Sequence, residues 1–348
     1  MADAVFAIPG DIKSPTGGYA YDRRVIELLP AFGVNVDHLA LSADFPNPSE
    51  DDLDAAVRLI ADAPDSATVL IDGLAFGAFP EDYLDLSARR IIAVVHHPLY
   101  LETGLAHARK VELKASETAA LARANHIVVT SRATARILKD ELGVDREKIT
   151  VAEPGTDPAR RATGTGAPLH ILAVGAITPR KNYENLIEAL SALKDIDWKL
   201  TIAGALDRHP AAVDALRERI AQEELSDRVR LPGKVVPATL DRFYESTDLF
   251  VSASLFEGYG MVIAEAMARG LPIVTTTGGA SGDTAHSSAA LHVQPGNTAE
   301  MTAALRRALT DKRLRDKLAD ASWDIGRTLP TWHETARRIA AVILGLKI

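Results

Sequence analysis

The feature of this chain that most constrains its fold is a regular alternation of short apolar runs with longer stretches of helical periodicity. The run AVFAI at residues 4–8 precedes a helical pattern at residues 18–29, and the same order recurs along the sequence. Short apolar runs that alternate with helices are typical of βαβ units, whose strands form a parallel sheet covered by helices on both faces. We therefore expect an α/β fold built on parallel sheets.

The alternation is interrupted once, at residues 158–168, where small, polar and proline residues give the composition of a linker. Before this segment, strands are predicted at residues 4–8, 34–39, 68–71, 90–95, 126–130 and 149–152, and helices at residues 18–29, 51–62, 103–123 and 132–142. After it, strands are predicted at residues 169–174, 199–203, 229–231, 249–253, 272–275 and 291–293, and helices at residues 183–193, 211–224, 238–245, from 261 and from 298 onward. The pattern predicts two domains, residues 1–163 and 168–330. Because ligands bind beyond the carboxyl ends of parallel strands, the informative loops should follow strands in both domains.

Composition excludes several classes of function. The chain contains no cysteine, so it can form neither a disulfide framework nor a thiolate metal site. Its formal net charge of −8 disfavours a nucleic-acid partner, which would require a basic face. The opening residues MADAVFAIPG lack the basic start and long apolar core of a signal peptide, and no run approaches the roughly 20 apolar residues of a membrane span. We therefore expect a cytoplasmic protein without a transmembrane segment. The basic stretch at residues 107–114 is most simply explained as a solvated helix face, and it leaves peripheral membrane contact open.

In the second half, two cations follow a predicted strand. The strand at residues 169–174 runs into GAITPRKN, and Asn182 is the expected N-cap of the next helix, so Arg180 and Lys181 lie beside a helix N-terminus. Cations at that end oppose the helix dipole. A bound diphosphate would reverse the sign of this interaction, because it attracts both the helix amides and the two cations. The alternative is that both side chains project into water. Their placement between a strand and a helix favours diphosphate binding.

A second loop of the same kind, SLFEGYG, follows the predicted strand at residues 249–253. Gly258 and Gly260 allow backbone amides to approach a ligand without interference from a Cβ atom. Glu257 can accept hydrogen bonds from sugar hydroxyls, and Glu265, one turn into the next helix, can accept a pair from the vicinal hydroxyls of a ribose. Compensation of the helix dipole is an alternative explanation for Glu257. It does not explain Glu265, which lies in an apolar run where an unpaired carboxylate would be costly if buried.

Two loops of the first half carry weaker signals. After the first predicted strand the chain reads PGDIKSPTGG, which is not the G-x-G-x-x-G of a dinucleotide site. The amides of Gly17 and Gly18 could still contact a phosphate or a sugar, although a plain turn explains them equally well. After the fourth predicted strand, His96 and His97 could hydrogen-bond a sugar or an acceptor hydroxyl. No further ligands accompany the two histidines, so no metal site is predicted.

Taken together, these motifs resemble the GT-B glycosyltransferases of family 4, which are retaining enzymes that use nucleotide-sugar donors. The resemblance runs over nearly the whole chain. Its most specific part is a pair of glutamates separated by seven residues, with a PRKN helix start upstream. The segments that carry it are TGGYA at 16–20, VVHHP at 94–98, EPGTD at 153–157, VGAITPRKNYENLIEAL at 174–190 and FEGYGMVIAEAMARGLPIV at 256–274.

The resemblance implies a GT-B fold, in which two Rossmann-like parallel α/β domains face each other across a cleft and a C-terminal helix, here at residues 331–348, crosses back onto the first domain. It also implies a role for each motif. Arg180 and Lys181 would neutralise the donor diphosphate. Glu265 would hold the ribose, and Glu257 would lie near the donor sugar. The other implied donor contacts are the loop amides of Gly17 and Gly18, the base contacts of Val235 and Val236, the corner of Gly258, Tyr259, Gly260, Met261 and Val262, and either His96 or His97 at the donor sugar.

The implied activity is that of a retaining hexosyltransferase, which moves a sugar from a nucleotide-diphosphate sugar to a hydroxyl group of a small-molecule, glycan or lipid-linked acceptor. Because Arg180, Lys181 and loop amides can stabilise the leaving diphosphate, we expect no metal and no other cofactor. The lone Asp-x-Asp at residues 195–197 precedes a strand and so lies at the wrong end for the site. The segment ASGDT at residues 280–284 replaces an acid-hydrophobic pair of the family and leaves the donor's identity open.

Alternatives to a glycosyltransferase are a nucleotide-sugar 2-epimerase of the same architecture and a non-catalytic nucleotide-sugar sensor. The missing G-x-G-x-x-G disfavours an NAD dehydrogenase.

Overall fold

The computed structural model describes residues 3–85 and 89–346. It confirms the prediction of two parallel α/β sheets, each of six strands. Residues Met1–Gly155 and Pro330–Ile348 form one compact unit, and residues Thr156–Leu329 form a second. The first unit thus ends at Gly155, whereas the sequence placed the end of its first domain at residue 163.

The first unit contains one parallel sheet and the helices that cover it. Its strands are β1 (Ala4–Pro9), β2 (Val36–Leu41), β3 (Thr68–Asp72), β4 (Ile91–Val95), β5 (His126–Val129) and β6 (Ile149–Val151). Its first helices are α1 (Gly17–Leu28), α2 (Glu50–Ala61), α3 (Gly73–Phe76), α4 (His107–Arg123) and α5 (Arg132–Leu142), with 3₁₀ turns at Leu29–Phe32, Glu81–Tyr83, Leu99–Leu101 and Arg146–Lys148. The strand order is β2-β1-β3-β4-β5-β6. Every residue of β1, β3 and β4 is buried, as expected for central strands covered on both faces.

The second unit repeats this architecture. Its strands are β7 (Leu169–Val174), β8 (Trp198–Ala203), β9 (Val229–Gly233), β10 (Leu249–Ser252), β11 (Ile273–Thr276) and β12 (Ala290–Val293). Its helices are α6 (Tyr183–Ser191), α7 (Pro210–Gln222), α8 (Pro237–Glu245), α9 (Met261–Ala268), α10 (Ser281–Thr284), α11 (Thr298–Thr310) and α12 (Lys312–Gly326), with a 3₁₀ turn at Pro179–Lys181. The strand order is β12-β11-β10-β7-β8-β9. Because β7 and β10 are neighbours, the loops that follow them emerge side by side at one edge of the sheet.

The structure corrects the prediction in a few elements. Helix α4 begins at His107 and not at residue 103, since Gly104 takes a left-handed φ of +82° that a helix does not allow. The four-residue helices α3 and α10 were not predicted. Each is about one helical turn, which is too short to show a hydrophobic period.

The C-terminal part of the chain forms helix α13 (Trp332–Leu344), which packs on α1 within the first unit. A Cβ atom at Gly155 would lie 2.1 Å from the backbone nitrogen of Trp332, so this approach requires glycine at position 155. Thr335 Oγ1 donates a hydrogen bond to the carbonyl oxygen of Glu153 at 2.6 Å. Residues 347 and 348 of the predicted helix lie outside the described residues.

The segment that has linker composition is tied to the second unit by one carboxylate. Asp248 accepts hydrogen bonds from the amides of Thr165 at 3.2 Å and His170 at 2.8 Å, and from the Thr165 hydroxyl at 2.8 Å. Upstream, the amide of Ala162 donates to the carbonyl oxygen of Arg269 at 2.9 Å. The chain from Ala162 to His170 is therefore a folded part of the second unit, although its composition is that of a linker.

Among residues 3–85 and 89–346, no helix combines the length and the hydropathy required to cross a bilayer.

Candidate active site

The carboxylate of Glu257 lies between the two cations that follow β7. Lys181 Nζ donates to Glu257 Oε1 at 2.6 Å, and Arg180 Nη1 donates to Glu257 Oε2 at 3.1 Å. Arg180 Nη1 also donates to the carbonyl oxygen of Phe256 at 2.8 Å. A third donor, Ser254 Oγ, lies 2.6 Å from Glu257 Oε1. Three residues that the sequence singled out in two separate loops therefore form one cluster, which we call the Arg180–Lys181–Glu257 cluster.

The cluster is mostly buried, and its charges stabilise one another. The side chain of Glu257 is 10% exposed, that of Lys181 12% and that of Arg180 26%. Burial by itself would raise the pKa of Glu257. The charges of Lys181 and Arg180, with the hydrogen bonds from Lys181 and Ser254, outweigh burial and lower this pKa to about 2. Glu257 is thus ionised throughout the physiological pH range and is a weak base.

A tight turn after β7 brings the two cations to this position. Pro179–Lys181 form a 3₁₀ turn, and Asn182 follows in the left-handed conformation with φ +50°. Asn182 occupies the N-cap position of α6, as predicted, but its side chain makes no capping hydrogen bond within the described residues. A non-glycine residue at positive φ is uncommon and persists where its surroundings require it. The amide of Leu255 donates to the carbonyl oxygen of Arg180 at 2.8 Å, which joins this turn to the loop that carries Glu257.

The loop after β11 supports Glu257 from its backbone side. The amide of Glu257 donates to the carbonyl oxygen of Gly278 at 3.2 Å, and the amide of Ala280 donates to the carbonyl oxygen of Glu257 at 2.8 Å. A Cβ atom at Gly278 would lie 2.1 Å from the carbonyl oxygen of Leu255. The two loops approach each other so closely that only glycine fits at position 278.

We expect Gly278→Ala to destabilise the protein by about 1–3 kcal/mol, the usual cost of overpacking a close contact. Gly282→Ala, in the same segment, is the matched control, because a Cβ atom there meets its nearest neighbour at 3.5 Å, an ordinary contact. The midpoint of thermal unfolding, followed by circular dichroism, measures both variants. Equal midpoints for the two would contradict the close approach of the loops.

The predicted glycine corner leads into helix α9. Gly260 is the N-cap, with a left-handed φ of +93°, and it offers no side chain to the helix amides. The first bond back into this turn runs from the amide of Ile263 to the carbonyl oxygen of Gly260 at 2.8 Å. The amides of Met261 and Val262 therefore precede the first bond of the helix, as the first N–H groups of any helix do. These amides suit an oxygen-rich ligand.

Tyr259, between Gly258 and Gly260, does not extend into solvent. It is buried, and its carbonyl oxygen accepts a hydrogen bond from Thr284 Oγ1 at 2.6 Å. The backbone of Tyr259 thus joins the glycine corner to Thr284.

Glu265 has a structural partner that the sequence did not reveal. The hydroxyl of Tyr244, a fully buried residue of α8, donates to Glu265 Oε2 at 2.9 Å. The guanidinium of Arg269 lies over the Tyr244 ring at 4.3 Å and donates to the carbonyl oxygen of Glu265 at 3.1 Å. Burial raises the pKa of Glu265, and the hydrogen bond from Tyr244 and the charge of Arg269 offset part of that rise. The carboxylate is therefore held in one orientation by a buried tyrosine.

Val235 and Val236 follow β9, as predicted. Val236 is 65% exposed, which is unusual for a valine, and Val235 is half-buried. The carbonyl oxygen of Val236 accepts a hydrogen bond from the amide of Thr239 at 2.9 Å, at the start of α8. An exposed valine after the carboxyl end of a strand is compatible with a contact to a ligand.

In the first unit, His96 follows β4 and meets two acids. His96 Nε2 lies 3.0 Å from Asp22 Oδ1, on α1. Asp72, at the end of β3, is 4% exposed, and its carboxylate lies within 4.8 Å of the ligand atoms of Asp22 and His96. Among the described residues these three form a group that is close enough to hold a cation. The sequence predicted no metal site here because neither acid belongs to a motif.

Burial and neighbouring charges shift the pKa values of His96 and Asp72. Burial alone would lower the pKa of His96, but the charge and hydrogen bond of Asp22, then the charge of Asp72, raise it to about 9. Burial and the charge of Asp22 raise the pKa of Asp72 to about 7, against the opposing charge of His96. At neutral pH the imidazole is therefore protonated.

The other residues predicted in the first unit are divided between two places. Helix α1 begins at Gly17, and a Cβ atom at Gly18 would lie 3.4 Å from His96 Cδ2, so Gly18 packs against this ring. His97 pairs instead with Glu102, since its Nε2 lies 3.8 Å from Glu102 Oε2. Of the two histidines, His96 is the one that the structure places against the predicted glycine loop.

Two glycosyltransferase profiles match successive parts of the chain. Residues 158–323 match the sequence profile of Glycosyl transferases group 1, and residues 71–160 match that of Glycosyltransferase Family 4. The solved structure of sucrose-phosphate synthase from Thermosynechococcus elongatus is 17% identical to this chain, covers 98% of each chain and gives a TM-score of 0.82. HepE of Anabaena in complex with UDP-glucose is 17% identical, with 99% of this chain and 100% of that chain covered and a TM-score of 0.79.

The chain has the GT-B fold, and its sequence matches glycosyltransferase profiles over residues 71–323. Sequence relatives of this GT-B chain include mannosylfructose-phosphate synthase of Agrobacterium fabrum, 26% identical over 63% of this chain and 52% of that protein. The D-inositol 3-phosphate glycosyltransferase of Pseudarthrobacter chlorophenolicus is 29% identical over 57% of this chain and 51% of its own length. The matches thus span about half the length of these relatives.

Some residues of this GT-B chain escaped the sequence analysis. Ser254 and Asp72 each follow or end a strand, so the rule that singled out Arg180 and His96 could have found them. Tyr244 and Asp22 lie within helices and carry no such signal. Their contacts arise only from packing between elements.

Proposed function

We propose that the protein transfers a sugar from a nucleoside-diphosphate sugar to a hydroxyl acceptor, with retention of configuration and without a metal ion. The observation that carries this proposal is the Arg180–Lys181–Glu257 cluster. It gathers two cations and one carboxylate in the loops that follow β7 and β10, next to the first turns of α6 and α9. Cations and helix amides at the carboxyl edge of a parallel sheet favour a phosphorylated ligand.

The charges of the cluster fit a leaving diphosphate. When the bond between the sugar and the diphosphate breaks, negative charge develops on the phosphate oxygen. Lys181 supplies a compact charge and Arg180 a planar fork, and groups fixed before the reaction stabilise such charge without reorganisation. The two cations are already held by Glu257, so we infer that a bound diphosphate shares them with this carboxylate.

The state of Glu257 supports an electrostatic role. A carboxylate with a pKa of about 2, whose two oxygens accept hydrogen bonds from Lys181, Arg180 and Ser254, is a weak base and a poor nucleophile. We therefore assign Glu257 to orienting the donor sugar and stabilising its developing positive charge. Retention then follows if the departing phosphate oxygen takes the acceptor proton on the same face of the sugar.

The relatives suggest the first substrates to test. Their names include a mannosylfructose-phosphate synthase and D-inositol 3-phosphate glycosyltransferases, and HepE was crystallised with UDP-glucose. We infer that the acceptor is a phosphorylated sugar or cyclitol. A thermal-shift screen of UDP-, GDP- and ADP-sugars identifies the donor, and transfer to D-inositol 3-phosphate and fructose 6-phosphate is then followed by NMR.

The anomeric signal of the product decides the stereochemical part of the proposal. An α-linked product from an α-configured donor, formed at an unchanged rate in EDTA, is the expected result. A β-linked product would refute retention, and activity that vanishes in EDTA and returns with Mg²⁺ would refute the metal-free reaction. Isomerisation of the donor sugar in the absence of any acceptor would show that the protein is an epimerase and not a transferase.

Glu265→Gln should raise the KM for the donor by roughly tenfold to a hundredfold. The variant removes the charged acceptor that we expect to bind the ribose hydroxyls, and a hydrogen bond to a charged acceptor contributes about 1.5–3 kcal/mol. Tyr244 can still donate to the amide oxygen, so the fold should survive. Glu245→Gln, an exposed glutamate at the end of α8, is the matched control. Initial rates at varied donor concentration measure the effect. An unchanged KM in Glu265→Gln would remove this residue from the donor site.

A further inference from the structure

We propose that Asp22 is a positioning residue for His96: its buried carboxylate orients the imidazole ring and keeps it in its charged form. This inference rests on the proposed function, and it takes His96 as the one of the two histidines that contacts the donor sugar, a contact that the family resemblance implies for His96 or His97. Asp22 belongs to none of the motifs of the sequence, and its position inside α1 gives it no direct access to solvent.

Asp22 is buried at a cost in free energy. Its exposed fraction is 0%, and Oδ2 has no hydrogen-bond partner among residues 3–85 and 89–346. An ionised carboxylate in such a place is costly unless a cation compensates it. The imidazole of His96 supplies that cation at 3.0 Å, in contact with Oδ1. An acid and a cation in contact inside the fold therefore stabilise each other.

The imidazole ring of His96 is held in place by its neighbours. Gly18 packs against one edge, where a Cβ atom would lie 3.4 Å from Cδ2. Tyr21 meets the imidazole edge-on, with ring centroids 5.1 Å apart and an interplanar angle of 82°. The backbone is held as well, since Thr130 Oγ1 donates to the carbonyl oxygen of His96 at 3.2 Å. Asp22 is the contact that sets which nitrogen faces inward.

Several titratable groups surround the imidazole ring of His96. Tyr21 and Asp22 face it from α1, Asp72 from the end of β3, and His97 adjoins it along the chain. His38, on β2, also feels the charge of Asp22. The two acids favour the imidazolium, and this agrees with the pKa of His96, which they raise to about 9.

The contact with Asp22 determines which hydrogen-bonding role His96 can take toward a ligand. With Nε2 engaged by Asp22, Nδ1 is the ring nitrogen that remains for a ligand. In the imidazolium both nitrogens carry hydrogen, so Nδ1 donates to a sugar or phosphate oxygen. In a neutral ring that keeps its proton on Nε2, Nδ1 would be an acceptor. Asp22 therefore decides whether His96 offers the donor substrate a hydrogen-bond donor or an acceptor.

The titration of His96 in the intact protein tests this directly, without substrate. Imidazole ¹⁵N resonances, followed from about pH 5 to about pH 10, should show His96 protonated at neutral pH in the wild type. Asp22→Asn should lower its midpoint by at least about one pH unit, which corresponds to a tenfold change in the protonation equilibrium. Asp22→Glu should restore part of the shift. Asp37→Asn, which removes an exposed acid of β2, is the control and should leave the midpoint in place.

A neutral His96 at pH 7 in the wild type would overturn the proposal, even if Asp22→Asn failed to fold. An unchanged midpoint in a folded Asp22→Asn variant would overturn it as well. Mg²⁺ alone should not alter the wild-type titration. Conversion of His96 to a metal-bound form would overturn the proposal in favour of a cation site.

The reaction supplies a second readout. The alkaline limb of kcat/KM should move to lower pH by at least about one unit in Asp22→Asn, and Asp37→Asn should retain the wild-type profile. A profile that only drops in height, without moving, would mean a purely structural role and would overturn the proposal. Absence of sugar transfer by the wild type would refute the proposed function instead, and the NMR titration would still report on the Asp22–His96 pair.

Discussion

Replacing Lys181 with alanine should lower the turnover of the donor by roughly a hundredfold to a thousandfold, the usual cost of losing one preorganised group that stabilises developing charge. Lys181 Nζ is the closest cation to Glu257, at 2.6 Å, and its side chain is 12% exposed, so water replaces it poorly. The loss should fall mainly on kcat, because the charge on the departing diphosphate is greatest in the transition state. Steady-state kinetics with the donor identified by the thermal-shift screen measure it.

Lys194→Ala is the matched control for this experiment. Lys194 lies in the same unit and pairs with Glu224 at 3.6 Å, but its side chain is 43% exposed. The control should retain wild-type kinetics, since exposed ion pairs contribute little. Turnover of Lys181→Ala within a few-fold of the wild type would exclude Lys181 from the reaction.

Replacing Glu257 with glutamine should remove about 3 kcal/mol of stability at neutral pH. The folded-state pKa of Glu257, about 2, is below its ordinary value of 4.5, and a depression of this size corresponds to about 3 kcal/mol. Because the folded pKa is depressed, this stabilisation is fully present above about pH 4.5. It is lost as the pH falls from there through about 2. The stability difference between wild type and Glu257→Gln should therefore be largest at neutral pH and narrow below about pH 4.5.

Urea denaturation at a series of pH values measures that difference. Glu188→Gln, an exposed position on α6, provides the control and should follow the wild type at every pH. A difference between wild type and Glu257→Gln that stays constant with pH would mean that the carboxylate is not stabilised by its two cations. The same variant should also lose donor turnover, since it leaves Arg180 and Lys181 without their shared partner.

Most of the fold follows from the sequence because central parallel strands are continuous apolar runs. Strand β7 occupies Leu169–Val174, the residues that the pattern predicts. The prediction is less accurate for β2, which was expected at residues 34–39 and lies at Val36–Leu41. This strand is at the edge of its sheet and is only partly buried, so its ends are set by pairing with β1 and not by hydrophobicity.

The site was predictable only where it lies at the ends of strands. Arg180 and Glu257 were found because each follows a strand whose carboxyl end is recognisable. Tyr244 could not be found, since its contact with Glu265 depends on how α8 packs against α9. Asp22 was hidden for a similar reason. It lies within α1, and its contact with His96 depends on how that helix packs against the end of β4.

The Asp248 carboxylate has a practical consequence for the preparation of the second unit alone. A fragment cut at Pro168, where the strand pattern suggests a natural start, would discard both the amide and the hydroxyl of Thr165 that this acid binds. The Asp248 carboxylate, which precedes the first residue of the central strand β10, would then accept hydrogen bonds from fewer donors than in the intact chain. A fragment that begins upstream of Ala162 keeps all of these hydrogen bonds. Limited proteolysis should accordingly spare the residues from Ala162 to His170, although they include glycines.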